Sequence, residues 1–229
     1  MRGAFKHSLE LIVWYSLLPI VIGLFLTALL SRHPIRGLTF FRTVLFLPQT
    51  VAVVVVAQAF VWIYAPEGPL NEVLRLVGLG SLTRAWLGDF DWALPALGLV
   101  GTWITFGLCM VLFLAGVQKI PPALYDAARV DGAGAVREFL AVTLPGLRNE
   151  IAVALTLTTI TALRSFDLIY NTTQGGPGGE TRVPSVLIVL NAFSYGKVGA
   201  ACAVAVVLTI IIFAIAWAIG RVADRGAEA

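Results

Sequence analysis

Residues 92–117 read WALPALGLVGTWITFGLCMVLFLAGV, an apolar stretch with no Asp, Glu, Lys or Arg. About 20 apolar residues wound as a helix cross a hydrocarbon core roughly 30 Å thick. A helix satisfies its own backbone amides, which hydrocarbon cannot do. Comparable stretches run from Leu9 to Leu30, Val44 to Tyr64, Ile151 to Tyr170 and Val198 to Gly220. Each is about twice the 9 to 11 residues that a barrel strand needs. The pattern predicts an all-α polytopic bundle of five membrane helices, forming a single domain over residues 1–229. Because the apolar runs recur along the chain, they do not read as one cleaved leader. Composition agrees: 59% of the 229 residues are hydrophobic and 13% are charged, against about 25% charged in an ordinary soluble domain.

The net charge of +3 comes from scattered Lys and Arg with no basic run, which argues against a nucleic-acid partner. Positive residues predict orientation, since cytoplasmic connections are enriched in them. Arg32, Arg36 and Arg42 lie in the connection 31–43, Lys119, Arg129, Arg137 and Arg148 in 118–150, and Arg221 and Arg225 in the tail. The other side has Arg2, Lys6, Arg75, Arg84, Arg182 and Lys197, with Glu67, Glu72, Asp89, Asp91 and Glu180 among them. The first group is expected to be cytoplasmic, which puts the C-terminus inside and, with five spans, the N-terminus outside. Arg2 and Lys6 weigh against the latter. Trp14, Trp62, Tyr64, Trp92 and Tyr170 near the outer ends, and Trp217 near the inner end, suit an interfacial aromatic belt in the lipid.

Three connections carry organisation of their own. Ala65 to Asp91, rich in Gly and Pro, predicts a structured external cap. Gln174-Gly175-Gly176-Pro177-Gly178-Gly179 predicts a turn-rich external loop, followed by a short surface helix from Pro184 to Tyr195. In 118–150, Pro121-Pro122 can start a helix, because the first turn has no use for the missing N–H. Asp131-Gly132 can end it, with glycine in the left-handed position. Asp126 is expected near the positive N-terminal end, where an acid gains about 0.3 to 1 kcal/mol. Leu124, Ala127 and Ala128 share one face. A second helix from Gly134 to about Thr143 leads to Leu144-Pro145, expected to turn the chain back to the bilayer. From these residues alone, the segment reads either as a solvated loop helix or as a small-faced helix shaped for a groove on a partner.

Tyr125-Asp126-Ala127-Ala128-Arg129-Val130-Asp131-Gly132-Ala133, with Val142-Thr143-Leu144-Pro145 after it, resembles the E-A-A-x3-G-x9-I-x-L-P signature of ABC importer permeases. Spacing matches throughout; Asp126 stands for the usual Glu and Val142 for Ile. The resemblance implies a type I importer permease fold with a cytoplasmic coupling helix, in which Asp126, Ala127, Ala128, Gly132, Leu144 and Pro145 engage the ATPase. Further stretches are similar to carbohydrate importer permeases of the maltose and glycerol-phosphate type. They are Phe41-Arg42-Thr43-Val44-Leu45-Phe46-Leu47-Pro48, Trp86-Leu87-Gly88-Asp89, Phe166-Asp167-Leu168-Ile169-Tyr170 with Gly175-Gly176-Pro177, and Ala192-Phe193-Ser194-Tyr195-Gly196. Such permeases usually have a span before the one at Leu9, which suggests a five-helix core, a truncated chain or a misplaced start.

The implied function is translocation of a sugar or related solute into a prokaryotic cytoplasm by alternating access across the cell membrane. Implied partners are a second homologous permease subunit, two cytoplasmic ABC ATPase subunits and an extracytoplasmic solute-binding protein. ATP and Mg would be held by the ATPase subunits, so no cofactor is expected on this chain. No GxxxxGK[ST] run occurs in it. The alternatives are a permease for a non-sugar solute, such as a polyamine, peptide or phosphorylated polyol, and an integral membrane enzyme. His7 and His33 have no ligand spacing, and Cys109 and Cys202 lie in apolar segments as small hydrophobes, so an enzyme lacks its usual constellation.

Arg164 and Asp167 stand out in the fourth apolar stretch, where charges are costly. Three apart on one helical face, they can pair, or Arg164 can snorkel to an outer end about 9 Å away at 1.5 Å per residue. Alternatively, Thr158, Thr161, Arg164 and Ser165 form a polar stripe lining a water-filled path, although Ser and Thr in membrane helices often bond their own preceding carbonyls. In the resembling family this helix lines the pathway, which makes Thr161, Arg164, Ser165 and Asp167 the candidate set, with Asp167 holding Arg164.

Overall fold

The computed structural model describes residues 2–30 and 37–225. The expectations for Arg32, His33 and Arg36 lie outside these residues, as do the side chains of Arg2 and Arg225. Among the described residues there is helix and no strand. α1 (Arg2–Ile12) and α2 (Leu18–Leu30) form one helix through a π-helical turn at Val13–Leu17. It begins a full two turns before Leu9, because polar residues such as Lys6 and Glu10 sustain a helix as well as apolar ones do.

The second apolar stretch is corrected by the structure. It is two helices, α3 (Leu38–Thr50) and α4 (Val53–Ile63), bent by 91° at the break between them. Pro48 removes a donor and crowds the preceding turn, and the backbone goes extended at Val51 and Ala52. α6 (Ala93–Val117) runs as read from the sequence, with Pro95 tolerated in its first turn. The fourth stretch is also interrupted, into α10 (Arg148–Leu163) and α11 (Asp167–Thr172). The last is α13 (Val198–Arg225). Among the described residues four helices are long and apolar enough to span, with α10 and α11 taken together as Arg148–Thr172, or up to five if the bent pair is one span.

α6 is the central post. Its buried residues Leu94, Leu97, Val100 and Ile104 join Leu11, Tyr15, Val56, Ala162 and Ile169 in one core, and Cys109 and Phe113 join Ile20, Leu147 and Ala154 in another. Glycines let neighbours come close: a Cβ on Gly98 or Gly101 would sit 2.4 Å or 2.0 Å from the Trp14 and Tyr15 rings, and one on Gly107 would sit 2.3 Å from the Leu45 carbonyl oxygen of α3. Thr102 donates to the Trp14 carbonyl in the π-helical turn at 2.6 Å, satisfying a group at a place where the helical ladder changes register. Ser16 bonds Thr158 at 2.7 Å and Thr159 at 3.2 Å, tying this turn to α10. α13 is the peripheral helix; Cys202 is exposed on it, whereas Cys109 is buried, so only the latter is a buried hydrophobe.

The stretch from Ala65 to Asp91 is structured, with α5 (Pro69–Leu76) and a 3₁₀ turn at Gly80–Leu82. Its hub is Asn71, 1% exposed. The Asn71 amide donates to the Arg84 carbonyl at 2.8 Å and the Pro66 carbonyl at 3.1 Å, and its oxygen accepts from Trp86 Nε1 at 2.8 Å. Asn71→Ala strands these groups at about 1–3 kcal/mol each. The expected outcome is faster protease cleavage within residues 65–91 of the purified protein, and unchanged cleavage would show that the hub is dispensable. The glycine-rich loop is locked by Thr181, which donates to the Gly176 carbonyl at 2.7 Å, and by His7 Nδ1 donating to the Arg182 carbonyl at 3.0 Å. α12 (Pro184–Val189) continues through a π-helical turn at Leu190–Ser194 and packs against α13.

Candidate functional site

The connection between α6 and α10 is anchored at both ends. Lys119 and Glu150 form an ion pair at 2.9 Å, and Gly146 packs on Ile120, where a Cβ would approach to 2.6 Å. Within it, α7 (Pro122–Val130) starts on Pro122 after an extended Pro121, as the sequence implies. Its end is a full Schellman closure: Gly132 has φ +74, the Ala133 N–H donates to the Ala128 carbonyl at 2.9 Å, and the Gly132 N–H to the Arg129 carbonyl at 3.0 Å.

None of the α7 residues is buried. Leu124, Asp126 and Ala127 are exposed and Ala128 is half-buried. The helix is propped by the segment that follows, α8 (Ala135–Glu138), a π-helical turn at Phe139–Thr143 and α9 (Leu144–Gly146). Tyr125 and Thr143 share a hydrogen bond at 3.2 Å, and Arg129 Nε donates to Glu138 at 3.1 Å. Two expectations change here. Asp126 is not in the first turn, which holds no acid; it lies one turn further in and pairs with Arg129 at 3.5 Å. Leu144 and Pro145 do not turn the chain. They stay helical, and the helix breaks instead at the fully buried Leu147, between α9 and α10. Glu138, only 9% exposed, was not singled out by sequence reasoning, since a partner nine residues away matches no helical spacing.

A second feature is a cavity of about 310 Å³ between the π-helical turn at Val13–Leu17, α3, α6 and α10, lined by Thr161, Arg164, Ser165 and Asp167 together with Tyr15, Gln49, Thr105 and Thr158. All four candidate residues thus meet at one place, though not as a stripe. The helix ends at Arg164 and restarts at Asp167, so these two do not share a helical face. Among the described residues Arg164 is in no ion pair, while Asp167 occupies the first turn of α11, where a helix favours an acid on its own account. Asp167 therefore does not hold Arg164. Thr158 and Ser165 are buried, whereas Thr161, Arg164 and Asp167 are exposed. Thr158 and Thr161 donate to the carbonyls of Ala154 and Leu157 at 2.7 and 2.8 Å, the expected back-bonding.

Ser185 donates to the Ser165 carbonyl freed by the break, and Ser165 donates to the Tyr15 hydroxyl at a long 3.5 Å. Tyr15, Gln49 and Thr105 escaped the sequence reading. The signal for Gln49 was available: an amide beside Pro48 in an apolar run. Its Oε1 is shielded from solvent and has no hydrogen-bond partner among the described residues. The cavity therefore offers a free guanidinium, an unpaired amide oxygen, a carboxylate and several hydroxyls, a set suited to a polyhydroxylated solute.

The chain is similar to known proteins along most of its length. It is 39% identical over 217 residues to the probable ABC transporter permease protein YurN of Bacillus subtilis, covering 92% of this chain and 74% of that protein. It is 38% identical over 182 residues to the sulfoquinovosyl glycerol transport system permease protein SmoG of Agrobacterium fabrum, covering 79% and 58% respectively. Identity to the xylose/arabinose import permease protein XacH of Haloferax volcanii is 35% over 211 residues, covering 91% and 66%. Two of these three relatives are thus matched over less than two thirds of their length. The fold is similar to that in the crystal structure of a bacterial ABC transporter involved in the import of the acidic polysaccharide alginate, with a TM-score of 0.86, 25% identity, and coverage of 97% of this chain and 78% of that one. A family model described as binding-protein-dependent transport system inner membrane component matches residues 17–226. The chain belongs to that family of inner membrane transport components.

Proposed function

We propose that this chain is one membrane-spanning half of an ATP-driven importer that moves a sugar or related solute through the cavity at the α10–α11 break. In this reading, a solute-binding protein delivers the solute and a second permease completes the pathway. Of two ATPase subunits, one receives α7 of this chain; the residues 31–43 and 118–150 are cytoplasmic, and 65–91 and 171–197 are external. The observation that carries the coupling role is α7 itself, a capped helix that buries none of its residues yet stands on a base fixed at Lys119–Glu150 and Arg129–Glu138. A helix held on a fixed base can pass conformational energy between subunits as a physical connection. Asp126, Ala127 and Ala128 lie along it and Gly132 closes its end, and Leu144 and Pro145 belong to its supporting helix.

The test is uptake of labelled sugars by vesicles carrying the assembled transporter and its binding protein. Failure of every sugar, with uptake of a polyamine or peptide instead, would replace the solute class. Within this test Arg164→Leu is expected to lower uptake about tenfold, the effect of losing roughly 1.4 kcal/mol of solute interaction, with membrane level and assembly intact. Among the described residues Arg164 has no ion partner to strand, so folding is expected to be unaffected. Loss of the protein from the membrane would instead make Arg164 a structural residue.

A further inference from the structure

α5 half-buries Leu70 and Leu74 but leaves other apolar side chains in the open. Its polar Asn71 is buried, while Val73, Leu76 and Val77, at the three- and four-residue spacing of one face, are 54%, 85% and 62% exposed. Leu79 and Leu82, 46% and 45% exposed, extend the same apolar surface through the 3₁₀ turn. α5 contacts the end of α4, and the cap leads directly into the N-terminal end of α6, so this surface lies beside the ends of two apolar helices. Trp62 at the end of α4 and Trp92 at the start of α6 are exposed there, as befits an interfacial belt. Arg84 lies over the Trp92 and Trp86 rings at 4.7 and 5.3 Å from their centroids, and Arg75 is exposed on α5. The Arg84 guanidinium, stacked on aromatic faces beside an apolar patch, is placed to reach phosphate while its stem stays in an apolar layer.

We infer that the α5 cap lies in the bilayer surface as an interfacial anchor, with Val73, Leu76, Val77 and Leu79 in the headgroup–acyl boundary of phospholipid. An amphipathic segment of this kind inserts its apolar face about 5–10 Å into that boundary. The anchor would hold the external ends of α4 and α6 at a constant depth while other helices move. This goes beyond the transport reading; it takes from that reading the external placing of residues 65–91, and it rests on α6 being a span.

The experiment places an environment-sensitive fluorophore on Leu76→Cys and, as a water-facing control, on Glu67→Cys, in a Cys109→Ala, Cys202→Ser background. The full chain is reconstituted in phospholipid nanodiscs with the subunits that co-purify. The expected result is emission at position 76 shifted to the blue of position 67. A lipid spin-labelled near its ester carbonyl should quench position 76 several-fold more than position 67, with no change when solute-binding protein is added. Water-like emission at position 76 overturns the inference. So does shielding that arises only with the binding protein, which would make the patch its docking surface, or a blue shift without lipid quenching, which would place it under another subunit.

Discussion

Ala127→Trp and Gly132→Val are expected to abolish solute uptake while leaving solute binding to the external receptor normal. Ala127 is exposed on α7, and the helix buries nothing around it. An indole there disturbs no intrachain packing and acts only on whatever α7 enters. A cleft that accepts Ala127 and Ala128 at close range has no room for the added volume, and overpacking of such a contact costs about 1–3 kcal/mol. Ala128→Trp should show the same loss, though Ala128 is half-buried and its variant also strains the chain. Gly132 acts by a different route. A Cβ there meets nothing within 4 Å, but φ is +74, a conformation that costs a β-branched residue about 1–2 kcal/mol. Valine would open the closure that ends α7 and let its tip fray. The measurement is uptake and binding-protein-stimulated ATP hydrolysis in reconstituted vesicles, with pull-down of the ATPase. Normal uptake in both variants would show α7 to be an ordinary solvated helix.

Gly107→Val is expected to be lost from the membrane, and Gly107→Ala to melt below the parent protein. The Cβ would lie 2.3 Å from the Leu45 carbonyl oxygen and 2.9 Å from the Phe46 Cα. Both neighbours are backbone, so relief requires α3 to move bodily away from α6 rather than a rotamer to change. Interiors are packed too closely to absorb this locally, and about 1–3 kcal/mol is lost for even modest overpacking. The contrast is Gly199, on α13, where a Cβ meets open space. There alanine removes the glycine penalty of roughly 0.5–1 kcal/mol within a helix, so Gly199→Ala should melt at or above the parent. Thermal unfolding of the three purified proteins in one detergent decides the matter. Equal melting of Gly107→Ala and the parent would mean that α3 does not approach α6 so closely.

Apolar length was legible from the sequence because it is a one-dimensional property. A helix needs a set number of residues to cross hydrocarbon, whatever its neighbours, and α6 and α13 are found where that count places them. Pro121-Pro122 and Gly132 were legible for a similar reason. A missing N–H and a positive φ are local demands that only these residue types meet at no cost, so the bounds of α7 follow from them. Hydropathy carries no direction, so the 91° bend between α3 and α4 and the break at Arg164 to Phe166 had to be seen. Each changes which side chains meet without changing the apolar count. The cavity is the clearest case: Tyr15, Gln49, Thr105 and Arg164 come from four separate helices, and no spacing within one helix brings them together. The same holds for the Arg129–Glu138 prop under α7. Backbone conformation is set largely by adjacent residues, whereas the partners of a polar side chain are set by the packing of segments distant in sequence, and that is where the tertiary structure decided.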